Sequence, residues 1–108
     1  MSSFDDREHA FENKFAHDEK TAFAIEARCA KLFGLWVAEQ IGLSEADAKT
    51  YAGQVVEANL EEAGFLDVMR KVQTDLKAQN IEISSHILEV HLDKALQEAR
   101  KQIMESSP

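Results

Sequence analysis

Proline is absent from this chain until its last position, Pro108, and only four glycines interrupt it. These two residues are the strongest breakers of a helix, so long stretches are free to be helical. Period-two runs of Val, Thr and aromatic residues, the mark of half-buried strands, are missing. The fold class is therefore all-α. A length of 108 residues gives room for one domain, which buries roughly 65% of its extended-chain surface.

Local capping chemistry divides the chain. Ser44-Glu45-Ala46-Asp47 follows the Gly42-Leu43 break and reads as a helix start of the capping-box kind. Gly64 suits a helix end, because glycine takes the left-handed conformation without a Cβ clash. Asp67 is positioned to cap the next helix, Asn80 to end it, and Ser84 or Ser85 to open the last. These signals predict helices at about 20–41, 45–63, 67–79 and 85–104.

Each predicted helix carries an apolar stripe. Ile25, Cys29, Leu32 and Trp36 fall within about 60° of one another, widened by Phe33 and Leu35. Ala52, Val55, Val56 and Leu60 serve the second helix, Met69, Val72 and Leu76 the third, and Leu88, Leu92, Ala95 and Ala99 the fourth. Gly34, inside a helix, is expected to permit close packing. Short connections favour antiparallel neighbours, and the sum is a four-helix bundle at residues 20–108.

Residues 1–19 have a different character and are expected to form a mobile N-terminal helical arm preceding the bundle. Phe4, Phe11 and Phe15 lie within about 40° on a helix, with Asp6, His9, Asn13 and His17 opposite. Ser3 with Asp6 is another capping box, and Asp5 and Asp6 suit the positive end of the helix dipole. The stripe is three rings wide, and an isolated helix this short is marginal in water. Extended, it lands on Asp18 and Ala22, out of step with the stripe that begins at Ile25. Two environments suit such rings: a fifth helix packed on the bundle, or a groove on a partner that orders a frayed arm. A membrane-surface helix would need more Lys and Arg on its polar face.

A net charge of −8 argues against nucleic acid and anionic membrane surfaces as partners. The acidic opening residues exclude a secretory leader and membrane insertion. The single Cys29 suits a reducing cytoplasm, and its place on the apolar stripe makes it a small hydrophobe. His9, His17, His86 and His91 lack the spacing of a helical zinc pair, so no metal is expected. His91 flanks the Leu88/Leu92 stripe as a partly buried residue, and Glu61-Glu62 reads as a solvated helix end. Trp36 and Tyr51 read as core residues. No phosphate loop, cofactor motif or catalytic constellation is apparent, so the chain is expected not to be an enzyme.

The run Phe4-Asp5-Asp6-Arg7-Glu8, then Ala10-Phe11-Glu12-Asn13-Lys14-Phe15-Ala16-His17-Asp18, resembles the ATPase inhibitor subunit zeta family. Glu26-Ala27-Arg28, Gly34-Leu35-Trp36, Tyr51-Ala52, Arg70-Lys71-Val72 and Ala99-Arg100-Lys101-Gln102-Ile103-Met104 agree with it as well. Cys29, where the family is usually basic, and the apolar Gly64-Phe65-Leu66 turn depart from it.

The resemblance implies a regulatory subunit that inhibits ATP hydrolysis by the F-type ATP synthase. Its N-terminal helix inserts at a catalytic interface of the alpha and beta subunits, reaches toward the central stalk and blocks rotation. The chain is then cytoplasmic, peripheral to the inner membrane through the synthase. Carried over by position, the partner-binding residues are Phe4, Asp5, Asp6, Arg7, Glu8, Phe11, Glu12, Asn13, Lys14, Phe15, His17 and Asp18. The competing reading is a helical adaptor, or a domain that senses nucleotide weakly, without insertion.

Overall fold

A computed structural model describes the backbone of residues 3–61 and 64–106 and the side chains of residues 20–60 and 64–105. Four helices follow in order: α1 Ser3–Ile41, α2 Glu45–Glu61, α3 Leu66–Ala78 and α4 Ser85–Ser106. Their order and bounds follow the expected pattern except at the start. Residues 3–41 are one unbroken helix, so the expected arm helix and the first bundle helix are a single element. No glycine or proline stands near residue 19 to divide them.

The stops are chemical. At the end of α1, Gly42 takes φ 87, and the Leu43 amide donates to Ala38 O at 3.0 Å. Asn80 does the same for α3, with φ 58 and an Ile81 amide bond to Leu76 O at 2.9 Å. Both are Schellman closures, which need a residue that tolerates the left-handed conformation. Ser44 Oγ accepts the Asp47 amide at 3.2 Å, and Ser84 Oγ accepts the Ile87 amide at 3.2 Å. Asp67 is not a cap. The cap position of α3 belongs to Phe65, without a side-chain bond, and Asp67 instead pairs with Arg70 at 3.3 Å.

Helix α1 is the spine, in contact with all three other helices and most extensively with α2 and α4. Cys29, Ala30, Phe33, Val37 and Ala38 on α1 are buried, with Ile25, Leu32 and Trp36 half-buried beside them. The buried line thus runs along one edge of the expected stripe. Ala52 and Val55 from α2, Val68, Val72 and Leu76 from α3, and Leu88, Ala95 and Ala99 from α4 complete the core. Leu60 is an exception: at 53% exposed it lies outside the core, where α2 is one residue from its end. Gly34 acts as expected. A Cβ there would meet Ala52 Cα at 2.9 Å and Val55 at 3.2 Å, so glycine lets α1 and α2 approach closely.

Candidate partner-binding surface

All twelve sequence-predicted site residues, Phe4 through Asp18, lie on the N-terminal part of α1. Their side chains are outside the described residues, as are those of Glu61 and Glu62 and the Ser3 cap. The lengths of the elements define the backbone geometry. α1 has 39 residues, against 17 in α2, 13 in α3 and 22 in α4. At 1.5 Å per residue α1 spans about 58 Å and α4 about 33 Å. The molecule measures 61 × 26 × 22 Å. One helix therefore sets the long dimension, and residues 3–19 continue α1 instead of forming a separate fifth helix beside the bundle.

The described side chains show how the root of this extension is held. Glu26 Oε1 accepts the Gly64 amide at 2.9 Å, tying α1 to the α2–α3 turn. In the orientation that satisfies both partners, the buried Asn59 amide donates to Glu26 Oε1 at 3.1 Å and Gly64 O at 2.8 Å. Gly64 has φ 88, a backbone state that other residues adopt at a cost. Arg28 Nη1 donates to Gln102 Oε1 at 2.7 Å and ties α1 to α4. A hydrogen-bonded clasp on each side, the one to α4 part-buried, fixes α1 just beyond the point where it leaves the other helices.

Further along, Trp36 stacks on His91 of α4 with ring centroids 3.9 Å apart and planes 13° from parallel. Tyr51 Oη donates to Asp75 Oδ2 at 2.7 Å, and Lys71 Nζ reaches the same carboxylate at 3.1 Å. Burial, with that hydrogen bond and the Asp75 charge, raises the Tyr51 hydroxyl well above its usual range. Burial pushes the Cys29 thiol up to about 12, with Glu26 adding to the effect. A thiol held protonated is a poor nucleophile. Cys29 behaves as packing, its Sγ–H aimed at Leu92 O at 3.7 Å.

No group of three His, Cys, Asp or Glu among the described residues is placed to hold a metal ion. An open hollow of about 860 Å³ lies beside the α3–α4 turn, over Leu76, Ile81 and Ile83. Among the described residues no helix is long and apolar enough to cross a membrane.

Four large apolar side chains, one on each helix, are exposed: Leu60, expected on the α2 stripe, and Phe23, Leu66 and Met104, which no expected stripe included. Phe23 lies about 20° from Ala30 and about 40° from Val37 around α1, on the face that is buried further along the helix, so the helical pattern alone does not mark it as exposed.

Comparison with known proteins gives three findings. The sequence profile of the ATPase inhibitor subunit zeta family matches residues 1–102. A protein whose structure was determined in solution by NMR is similar at 41% identity and a TM-score of 0.68, over 79% of this chain and 96% of its own. No curated protein sequence matches.

Proposed function

The chain belongs to the ATPase inhibitor subunit zeta family, and from that premise we propose that it restrains ATP hydrolysis by an F-type ATP synthase, using residues 1–19 as an arm and residues 20–108 as its mount. Phe4, Phe11 and Phe15 anchor the arm in an apolar groove at a catalytic alpha–beta interface. Arg7, Glu8, Glu12 and Lys14 set its register by charge complementarity. Asp5, Asp6, Asn13, His17 and Asp18 complete the contact around the helix. The wedge blocks the conformational cycle of the interface and with it rotation of the central stalk. The protein acts as a non-catalytic regulator, held peripheral to the membrane by its partner.

The observation that supports this reading is the length of α1, which outruns α4 by 17 residues (39 against 22). Desolvating each phenylalanine on insertion contributes about 1.5–3 kcal/mol. Continuity with a packed helix lowers the opposing cost. A separate helix must nucleate at about 10⁻³ probability, or about 4 kcal/mol, whereas one extending from a stable helix only propagates.

The test is a titration of ATP hydrolysis by the synthase with the parent chain, Phe11→Ala, and a chain lacking residues 2–17. Both variants should keep a cooperative thermal transition and lose inhibition. Full inhibition by the truncated chain refutes the arm as effector. A large drop in melting temperature for Phe11→Ala would return that ring to the protein's own core.

A further inference from the structure

The apolar side chains that the fold leaves exposed are distributed unevenly. Among the described residues the large ones are Phe23 at 59%, Leu60 at 53%, Leu66 at 63%, Met104 at 62% and Ile87 at 44%. The first four gather around one end of the bundle. Phe23 is three residues before Glu26, whose carboxylate holds Gly64, two residues before Leu66. Leu60 follows Asn59, which joins the same clasp, and Met104 is two residues past Gln102, the partner of Arg28. Ile87 alone belongs to the first turn of α4. Single exposed apolar residues are ordinary, but four at one end of the bundle, one from each helix, present apolar area together.

This is also the end from which the N-terminal part of α1 extends. The helix is unbroken between positions 15 and 23, a rise of only about 12 Å. A protein that grips residues 4–18 is therefore brought against this end of the bundle. We infer that Phe23, Leu60, Leu66 and Met104 form a collar that docks on the rim of the groove receiving the arm, on the same ATPase. The inference rests on the arm reading above and adds a second, separately testable contact to it. The partner surface it fits is an apolar rim edged with both signs of charge, since the exposed Glu57 stands three residues before Leu60 and the exposed Glu105 adjoins Met104. Lys20 and Lys101, both exposed, stand three residues before Phe23 and Met104 on their helices and share their faces. The carboxylate of Glu26 is already taken by Gly64 and Asn59.

The experiment uses the full chain with Phe23→Asp and Leu66→Asp together, and Leu66→Asp alone as the milder variant. An acid in the first turn of α3 suits the helix dipole, so the single variant is expected to fold. Inhibition of ATP hydrolysis is titrated, dissociation from the ATPase is timed, and melting of the free protein is recorded beside Phe11→Ala. The collar predicts that half-inhibition needs on the order of ten to a hundred times more of the double variant. Dissociation should be faster, with maximal inhibition and melting retained. If both collar variants titrate like the parent while Phe11→Ala fails to inhibit, the collar is wrong and the arm stands. If Phe11→Ala inhibits like the parent, the arm reading falls and takes the collar with it. If the parent sediments as a dimer that Leu66→Asp dissociates, the surface belongs to a second copy and the inference is overturned.

Discussion

Two glycines in the middle of helices offer a sharp trial of the packing described above. Gly34→Ala and Gly53→Ala are the same substitution, and helix propensity favours both by about 1 kcal/mol. Their surroundings differ. At Gly53 an added Cβ meets nothing within 4 Å, whereas at Gly34 it meets Ala52 Cα at 2.9 Å and Val55 at 3.2 Å. Carbon atoms rest at about 3.5–4.0 Å, so α2 has to retreat by at least about 0.6 Å along the largest helix contact of the fold. The nearest obstacle is backbone, which no rotamer change relieves. Overpacking of this kind costs roughly 1–3 kcal/mol, and at the upper end the net loss for Gly34→Ala is about 1–2 kcal/mol after the propensity gain. Melting followed by circular dichroism at 222 nm should fall by about 5–15 °C for Gly34→Ala and rise by about 3–8 °C for Gly53→Ala. Shifts of the same sign would refute the claim that α1 and α2 touch at Gly34.

The remaining expectations concern the core, its one thiol and its aromatic stack. Leu88 is fully buried while Leu60 is 53% exposed, so Leu88→Ala should cost about 2–5 kcal/mol in urea unfolding and Leu60→Ala no more than about 0.5. The Cys29 thiol is raised from 9.0 to about 12 in the folded protein. Above pH 9 the unfolded chain gives up that proton and the folded one keeps it, so stability should fall as pH rises from 9 toward 12. Each such group contributes about 1.4 kcal/mol per pH unit. Cys29→Ala should make the alkaline decline shallower, and an unchanged slope in denaturant titrations between pH 9 and 10 would contradict the burial of this thiol. Trp36, the only tryptophan, stacks on His91 at 3.9 Å. His91→Ala removes the ring that covers one indole face, so Trp36 emission should move to longer wavelength, and an unchanged spectrum would contradict the stack.

What was legible in the sequence is what local chemistry decides. Ser44, Gly42 and Asn80 act within a few residues of themselves, and each does in the structure what its side chain suggested. Asp67 misled because α3 begins one residue earlier than expected, which moves its carboxylate inside the first turn and toward Arg70. Leu60 misled because periodicity records which side of a helix a residue occupies, and not whether a neighbour reaches that level of it. Val68 was missed for a related reason: the α3 stripe was centred on Met69, yet Val68 is fully buried and Met69 only half. The clasp of Glu26, Asn59 and Gly64 had no signature at all. Its bond joins residues 38 positions apart, and nothing near Glu26 distinguishes it from a solvated carboxylate. The candidate arm shows in the sequence as a pattern of rings, and its expected division from the bundle at residue 19 falls within one continuous helix. Asp18 and Ala22 interrupt the apolar line, yet an unbroken helix needs no apolar residue to continue.

Continuity of α1 makes phase a physical quantity, and it can be tested. Position 29 lies fourteen residues beyond position 15, a rotation of about 1,400°, which is 40° short of four turns. On one continuous helix the phenylalanine positions and the Cys29 position therefore share a side of α1, the side on which Cys29 meets α4 at Leu92. A groove that accepts the arm would then take up the line that α4 leaves at Ser106, which is where Met104 is exposed. If bundle and arm both touch the partner, their relative rotation matters. Inserting one alanine after Ala22 turns the arm by about 100° and lengthens α1 by about 1.5 Å; inserting four turns it by about 40° and lengthens it by about 6 Å. Rotational coupling predicts that the four-residue insertion inhibits ATP hydrolysis better than the one-residue insertion, although it displaces the arm further. A partner that senses only distance would rank them the other way. Equal titrations for both insertions and the parent would mean that the bundle is a passive tether, and the collar would lose its role.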